Sequence, residues 1–199
     1  MTEQALKNLE TALKPIFSDE EAGYLARLLY SFSPNDTIYY ENIDLPDSLK
    51  DDYILMAYEE RLIVPQSSRP GGAWEDRMLR LESGALYIMP RVIRQLLDLA
   101  ESTGTFDSAR AIRQTMAEMD EGSMSNLLTY FNKLKGQAVS YKVEGGLLDT
   151  LNQETNPPLD LHATVDLFVL LGMMSPCTRG PITSGLVWYE INPSLYWGE

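Results

Sequence analysis

Apolar residues recur along this chain at two spacings, three-to-four and two, and the points where one spacing gives way to the other predict its elements. Leu6, Leu9 and Leu13 predict an amphipathic helix from about Thr2 to Lys14, stopped by Pro15. Leu25, Leu28, Leu29 and Phe32 give a second helix its inward stripe. Its start is written as Ser18-Asp19-Glu20-Glu21, a capping box in which the serine oxygen takes an orphan N–H and Glu21 reaches back. Ser33-Pro34-Asn35-Asp36 ends that helix, and the β-branched and aromatic Thr37 to Tyr40 predicts a short strand. Pro46-Asp47-Ser48-Leu49 then opens a helical region carrying Ile54, Leu55 and Tyr58.

At Leu62 the spacing changes again. Leu62-Ile63-Val64 is a short apolar run closed by Pro65, Gln66 to Gly72 has the composition of a loop tip, and Met78-Leu79-Arg80-Leu81 resumes with alternation, so a β-hairpin is predicted. Pro90 opens a strongly apolar helix through Val92, Ile93, Leu96, Leu97 and Leu99, and Ser102-Thr103-Gly104-Thr105 breaks it. From there the grammar repeats at a distance of about 110 residues. Ala109, Ile112, Met116 and Met119 echo the first helix, and Leu127, Leu128 and Phe131 echo the second. Val139-Ser140-Tyr141 answers the short strand. A helix through Leu161, Val165, Phe168, Val169 and Leu171 leads into Met173-Met174-Ser175-Pro176, which answers Ile63-Val64-Pro65. Leu186 to Ile191 supplies the return strand, and Gly145-Gly146 reads as a turn.

The expectation is an α+β chain, mainly α, made of two copies of one unit: residues 1–89, a linker helix over 90–103, and residues 104–199. Helix, helix, short strand, helical region and two-stranded wing, in that order, resemble a winged helix in both copies. The resemblance implies two tandem winged-helix domains from an internal duplication. It also implies a use: in DNA-reading members the helix before the wing offers Arg, Lys, Asn or Gln to the major groove.

Charge argues against that use here. The net charge is −13, and Pro46 to Arg61 carries Asp47, Asp51, Asp52, Glu59 and Glu60 against Lys50 and Arg61. Pro157 to Met174 carries Asp160 and Asp166 and no Lys or Arg. Carboxylates set against phosphates cost affinity. The counter-evidence is local: between Arg61 and Arg94 six arginines stand against Glu75, Asp76 and Glu82. A nucleic-acid reading would rest on Arg69, Arg77, Arg80, Arg91 and Arg94, with the Arg69 wing tip entering a minor groove or meeting a phosphate.

Other chemistry is thinly supplied. His162 and Cys177 are the single histidine and cysteine, which gives no ligand spacing for a metal and no dyad readable from the sequence. No Gly-rich phosphate fingerprint occurs, and no catalytic residue, metal or cofactor is assigned. No apolar run approaches the ~18 residues of a membrane span, and the N-terminus lacks a secretory profile, so a cytoplasmic chain is expected. The apolar surplus on Leu159 to Met174, with Tyr196 and Trp197 following, predicts a protein-contact surface at Leu170, Met173, Tyr196 and Trp197. It would hold a protein partner or a second copy as a homodimer, with the linker helix covering part of it. The best reading is a non-enzymatic adaptor or regulatory subunit, and the alternative is a DNA-binding transcriptional regulator.

Overall fold

The computed structural model describes residues 3–67, 72–177 and 187–198. The N-terminal half begins with α1 (Glu3–Leu13) and α2 (Asp19–Tyr30), and the capping box closes as the sequence prescribes. The Ser18 hydroxyl accepts from the Glu21 N–H at 3.3 Å while the Ser18 N–H donates to the Glu21 carboxylate at 2.9 Å. β1 (Thr37–Tyr39), α3 (Asp47–Glu59), β2 (Val64–Pro65) and β3 (Leu86–Ile88) complete this half. α4 (Arg91–Thr103) leads into α5 (Ser108–Thr115), α6 (Glu121–Gln137), β4 (Lys142–Glu144), α7 (Gly145–Gln153), α8 (Leu161–Leu171), β5 (Met174–Cys177) and β6 (Trp188–Ile191).

Each half holds one antiparallel three-stranded sheet, and in both the last strand lies in the middle: β1-β3-β2 and β4-β6-β5. The registers agree at the prolines. Pro65 faces Tyr87 across β2 and β3, and Pro176 faces Tyr189 across β5 and β6.

The first return strand is not where alternation placed it. Met78 is 73% exposed and Leu81 is exposed, whereas β3 forms at Leu86–Ile88 around a fully buried Tyr87. A central strand must satisfy both neighbours. Leu86, Tyr87 and Ile88 bond β1 on one side, and Tyr87 and Ile88 bond β2 on the other. The Tyr87 hydroxyl donates to the Arg80 carbonyl, so the alternating segment braces the strand instead of forming it. Gly145-Gly146, expected as a turn, is the first turn of α7. A side chain at Gly145 would meet the Val187 carbonyl at 2.9 Å, so glycine lets this helix start directly under the sheet.

The helices that lead into β2 and β5 are each followed by a residue in the left-handed region. Gly172 caps α8 with φ +75°, and Arg61 follows α3 with φ +55°. In each, a backbone N–H reaches back over the turn, Met173 to Phe168 at 2.9 Å and Leu62 to Ala57 at 2.9 Å. Glycine adopts this geometry without strain, whereas a side chain adds about 1 kcal/mol. Gly172 has a second reason: a Cβ there would lie 2.3 Å from the Cβ of Pro90.

α4 does not cover α8. Its buried face, Val92, Ile93, Leu96, Leu97, Leu99 and Ala100, packs between α1 and α5. One apolar core therefore runs from Leu9 and Leu13 through Leu96 and Leu97 to Ile112 and on to Phe131 and Phe168. Each fully buried leucine in it contributes roughly 2 kcal/mol. Phe168 accounts for the inner face of α8, with its ring 5.1 Å from that of Phe131.

A seam of polar contacts joins the halves. The Arg61 Nε and Nη2 donate to the two oxygens of Glu190 at 3.1 and 3.3 Å, with both side chains largely buried. The Ser194 hydroxyl donates to the Glu60 carbonyl, and the Asn192 amide nitrogen donates to the carbonyls of Arg61 and Gly172.

Candidate functional site: the cleft around Arg77

A 3-10 turn at Trp74–Asp76 positions the site, because it is pinned from both halves. The Trp74 N–H donates to the Ser175 hydroxyl at 2.9 Å, and the Tyr58 hydroxyl donates to the Trp74 carbonyl at 2.9 Å. Arg77 follows this turn, its own N–H donating to the Trp74 carbonyl at 3.1 Å. Its side chain is therefore carried by a fixed backbone and not by the loop tip before it.

Arg77 lines two cavities. One, of about 370 Å³, is polar and bounded by Gln66, Arg80, Ala85 and Tyr87, with Asp76 at its wall. The other, of about 520 Å³, lies between the halves: Val64, Trp74, Ile88 and Pro90 face Asp166, Val169 and Leu170. Leu170 is 79% exposed at its edge.

The guanidinium between them is poorly served. Its Nη1 donates to the Pro65 carbonyl at 3.3 Å, at the long limit of hydrogen bonding, and that is its one hydrogen bond among the described residues. Nε is buried without a partner, and no carboxylate pairs with the side chain among the described residues. Burial lowers the pKa of Arg77 from its ordinary value, with the Tyr58 phenol opposing, yet a guanidinium stays charged at any physiological pH. The side chain is only partly buried and borders both cavities, but its Nε stays buried and unpaired, and this position asks for an explanation.

The other sequence-predicted residues scatter. Arg94 is spent inside the fold, donating from Nε to Asp36 at 2.9 Å and from Nη2 to the Asn35 carbonyl at 2.7 Å. Arg91 lies on the surface near Glu118 at 3.5 Å. Arg80 is exposed and shares the polar cavity with Arg77, while Arg69 lies outside the described residues. The expected contact surface divides in the same way. Leu170 is on the surface, Met173 is fully buried, and Trp197 is only 8% exposed because Phe17 and Phe106 close over it with ring centroids 5.7 and 5.0 Å away. Tyr196 is half-buried, its hydroxyl donating to the Lys135 carbonyl. The cover of Trp197 comes from residues distant in sequence.

His162 is exposed on α8, 3.7 Å from Asp166. Cys177 is buried in β5 with its thiol 3.4 Å from the Glu75 carboxylate. No group of three or more His, Cys, Asp or Glu side chains suited to a metal occurs among the described residues. No described helix is long and apolar enough to cross a membrane. Sequence reasoning named Arg77 and Leu170 but did not join them, and it missed the roles of Trp74 and Pro90. The one available signal was Trp74, a large aromatic placed just after Gly71-Gly72.

Compared with known proteins, the chain matches one family model, over residues 7–197, that of a family to which no function is assigned. No curated protein and no solved structure matches it.

Proposed function

Because the chain belongs to that family from residue 7 to residue 197, both halves and the connector included, we propose a function for the two halves acting as one body. It is a non-enzymatic adaptor or regulatory subunit of the cytoplasm, built as two tandem winged-helix domains and working through protein contacts. The shared strand order, the matching Pro65 and Pro176 registers and the matching left-handed ends of α3 and α8 support the duplication.

The observation that carries the contact reading is the apolar groove between the halves, with Leu170 exposed at its rim. Large apolar side chains held in water beside a concave apolar surface are typical of contact sites. The helices that would read DNA offer the wrong charge. α3 exposes Asp47, Asp51, Asp52 and Glu59, while its lysine, Lys50, is buried against Asp47 and the Tyr40 ring. DNA binding is the second reading, favoured by one observation: Arg80 is exposed beside Arg77 in the polar cavity.

Two measurements test this. A photo-crosslinking residue at position 170 should capture a protein, whether a partner or a second copy, that the same residue at exposed Gln153 does not; equal capture at both positions sinks the reading. A duplex-DNA titration should show no binding at physiological salt. Tight binding with a negative salt slope would promote the DNA regulator.

A further inference from the structure

We propose that the groove takes an acidic linear segment of a partner protein, an Asp or Glu side chain seated on Arg77 and a neighbouring apolar side chain seated against Val169 and Leu170. This rests on the protein-contact reading above and adds the chemistry of the occupant.

The argument starts from an internal standard. Arg61 presents its Nε and Nη2 edge to both oxygens of Glu190, the two-point fit between a planar guanidinium and a planar carboxylate. Arg77 has the same edge with no described partner, since its Nη1 alone is engaged. Giving up that long bond to Pro65 frees the guanidinium to swing its buried Nε toward an arriving group.

The chain does not hold an obvious occupant in reserve. Outside the described residues the sequence has one acid, Glu199, and the stretches 68–71 and 178–186 have none. The missing counter-charge therefore comes from outside these segments.

The surroundings select a carboxylate over a phosphate. Among the described residues lining the groove Arg77 is the one cation and Asp166 the one anion, so a dianion brings a charge that nothing in that lining balances, while the single charge of a carboxylate is met by the guanidinium. Asp166 and the net charge of −13 oppose the many phosphates of a nucleic-acid backbone. The apolar requirement comes from the groove: Val64, Ile88, Pro90, Val169 and Leu170 offer surface that only an apolar side chain covers with gain. The fixed Trp74 turn, tied to Ser175 and Tyr58, holds the backbone that carries Arg77 in place before anything binds, which lowers the ordering cost of association.

The test uses the full chain and fluorescein-labelled heptapeptide pools, each with one Glu and one Leu separated by one, two, three or four positions, followed by fluorescence polarisation. At least one pool should bind, and the same pool with Gln for Glu should bind about tenfold more weakly or worse, as expected for loss of a charge-assisted contact. Arg77→Gln should lose the distinction between the Glu and Gln pools. Arg77→Lys should recover only part of it, because an ammonium is a point charge and not a fork. Leu170→Ser should weaken both pools alike. Circular dichroism and thermal unfolding show that each variant is folded before binding is read.

Gln pools that bind as well as Glu pools, or an Arg77→Gln variant that still distinguishes them, would overturn the carboxylate assignment and leave the groove as a contact site. Failure of every pool while position 170 still captures a partner overturns the acidic-segment proposal alone. Failure of both removes the contact reading with it. Sedimentation showing a dimer that Arg77→Gln dissociates would replace the partner by a second copy of this chain.

Discussion

Arg61 precedes β2 and Arg77 lies in the connection from β2 to β3, and both lie where the two halves meet, yet one is saturated and the other is not. Arg61 is met by a glutamate from β6, and its surroundings close around the pair. Arg77 is met by a carbonyl at 3.3 Å and by two cavities. The difference separates two uses of a partly buried cation. A guanidinium whose fork is filled from within the chain fixes the relative placement of two halves. One whose fork is left open is held ready for something else.

The largest effect is expected on the saturated side. Glu190→Gln removes the counter-charge and leaves the Arg61 guanidinium buried, which should lower unfolding free energy by about 3 kcal/mol in urea titrations. The double replacement Arg61→Met with Glu190→Met should recover at least half of the loss, and no recovery would mean that the pair is not the cause. Ser175→Ala is next: it strands the buried Trp74 N–H and should cost about 1 to 2 kcal/mol by the same measurement. A cost near zero would show that the Trp74 turn is not pinned by β5.

A smaller effect should depend on pH. Burial, reinforced by Glu59 and opposed by Arg61, raises the Glu60 carboxyl above its ordinary value of 4.5. A raised acid disfavours the folded state while charged, so Glu60→Gln should gain roughly 0.5 kcal/mol at neutral pH. That gain should vanish as pH falls through the raised value to below 4.5, where both states hold the proton. The same gain at both pH values would rule out titration of Glu60 as its source. The smallest effect belongs to the open side. Arg77→Met should change unfolding free energy by no more than about 0.5 kcal/mol, because little in the fold depends on that charge. A loss comparable to that of Glu190→Gln would erase the distinction between the two arginines.

Much of the fold could be read directly where physics is local. The Ser18 capping box and the apolar stripe of α4 are set by neighbours in sequence, and both form. The first return strand could not be read this way. Met78-Leu79-Arg80-Leu81 alternates and Leu86-Tyr87-Ile88 is a short apolar run, both patterns of a strand, and only pairing with β1, far upstream, decides between them. The site followed the same division. Arg77 and Leu170 each stood out on residue type, but their common groove depends on Pro90 meeting Gly172 and on Trp74 meeting Ser175. Trp197 misled for the same reason, its cover coming from Phe17 and Phe106.

The left-handed residue at the end of α3 carries a consequence for how this sequence can change. Glycine at position 61 would relax the backbone, as Gly172 does at the corresponding turn, but it would strand Glu190 without its cation. Replacing Glu190 first strands the arginine instead. Either single step loses stability before the second regains it, so the two positions form a valley that a lineage crosses only by changing both together. In that sense Arg61 is held in a conformation it does not prefer by its partner in the other half of the chain.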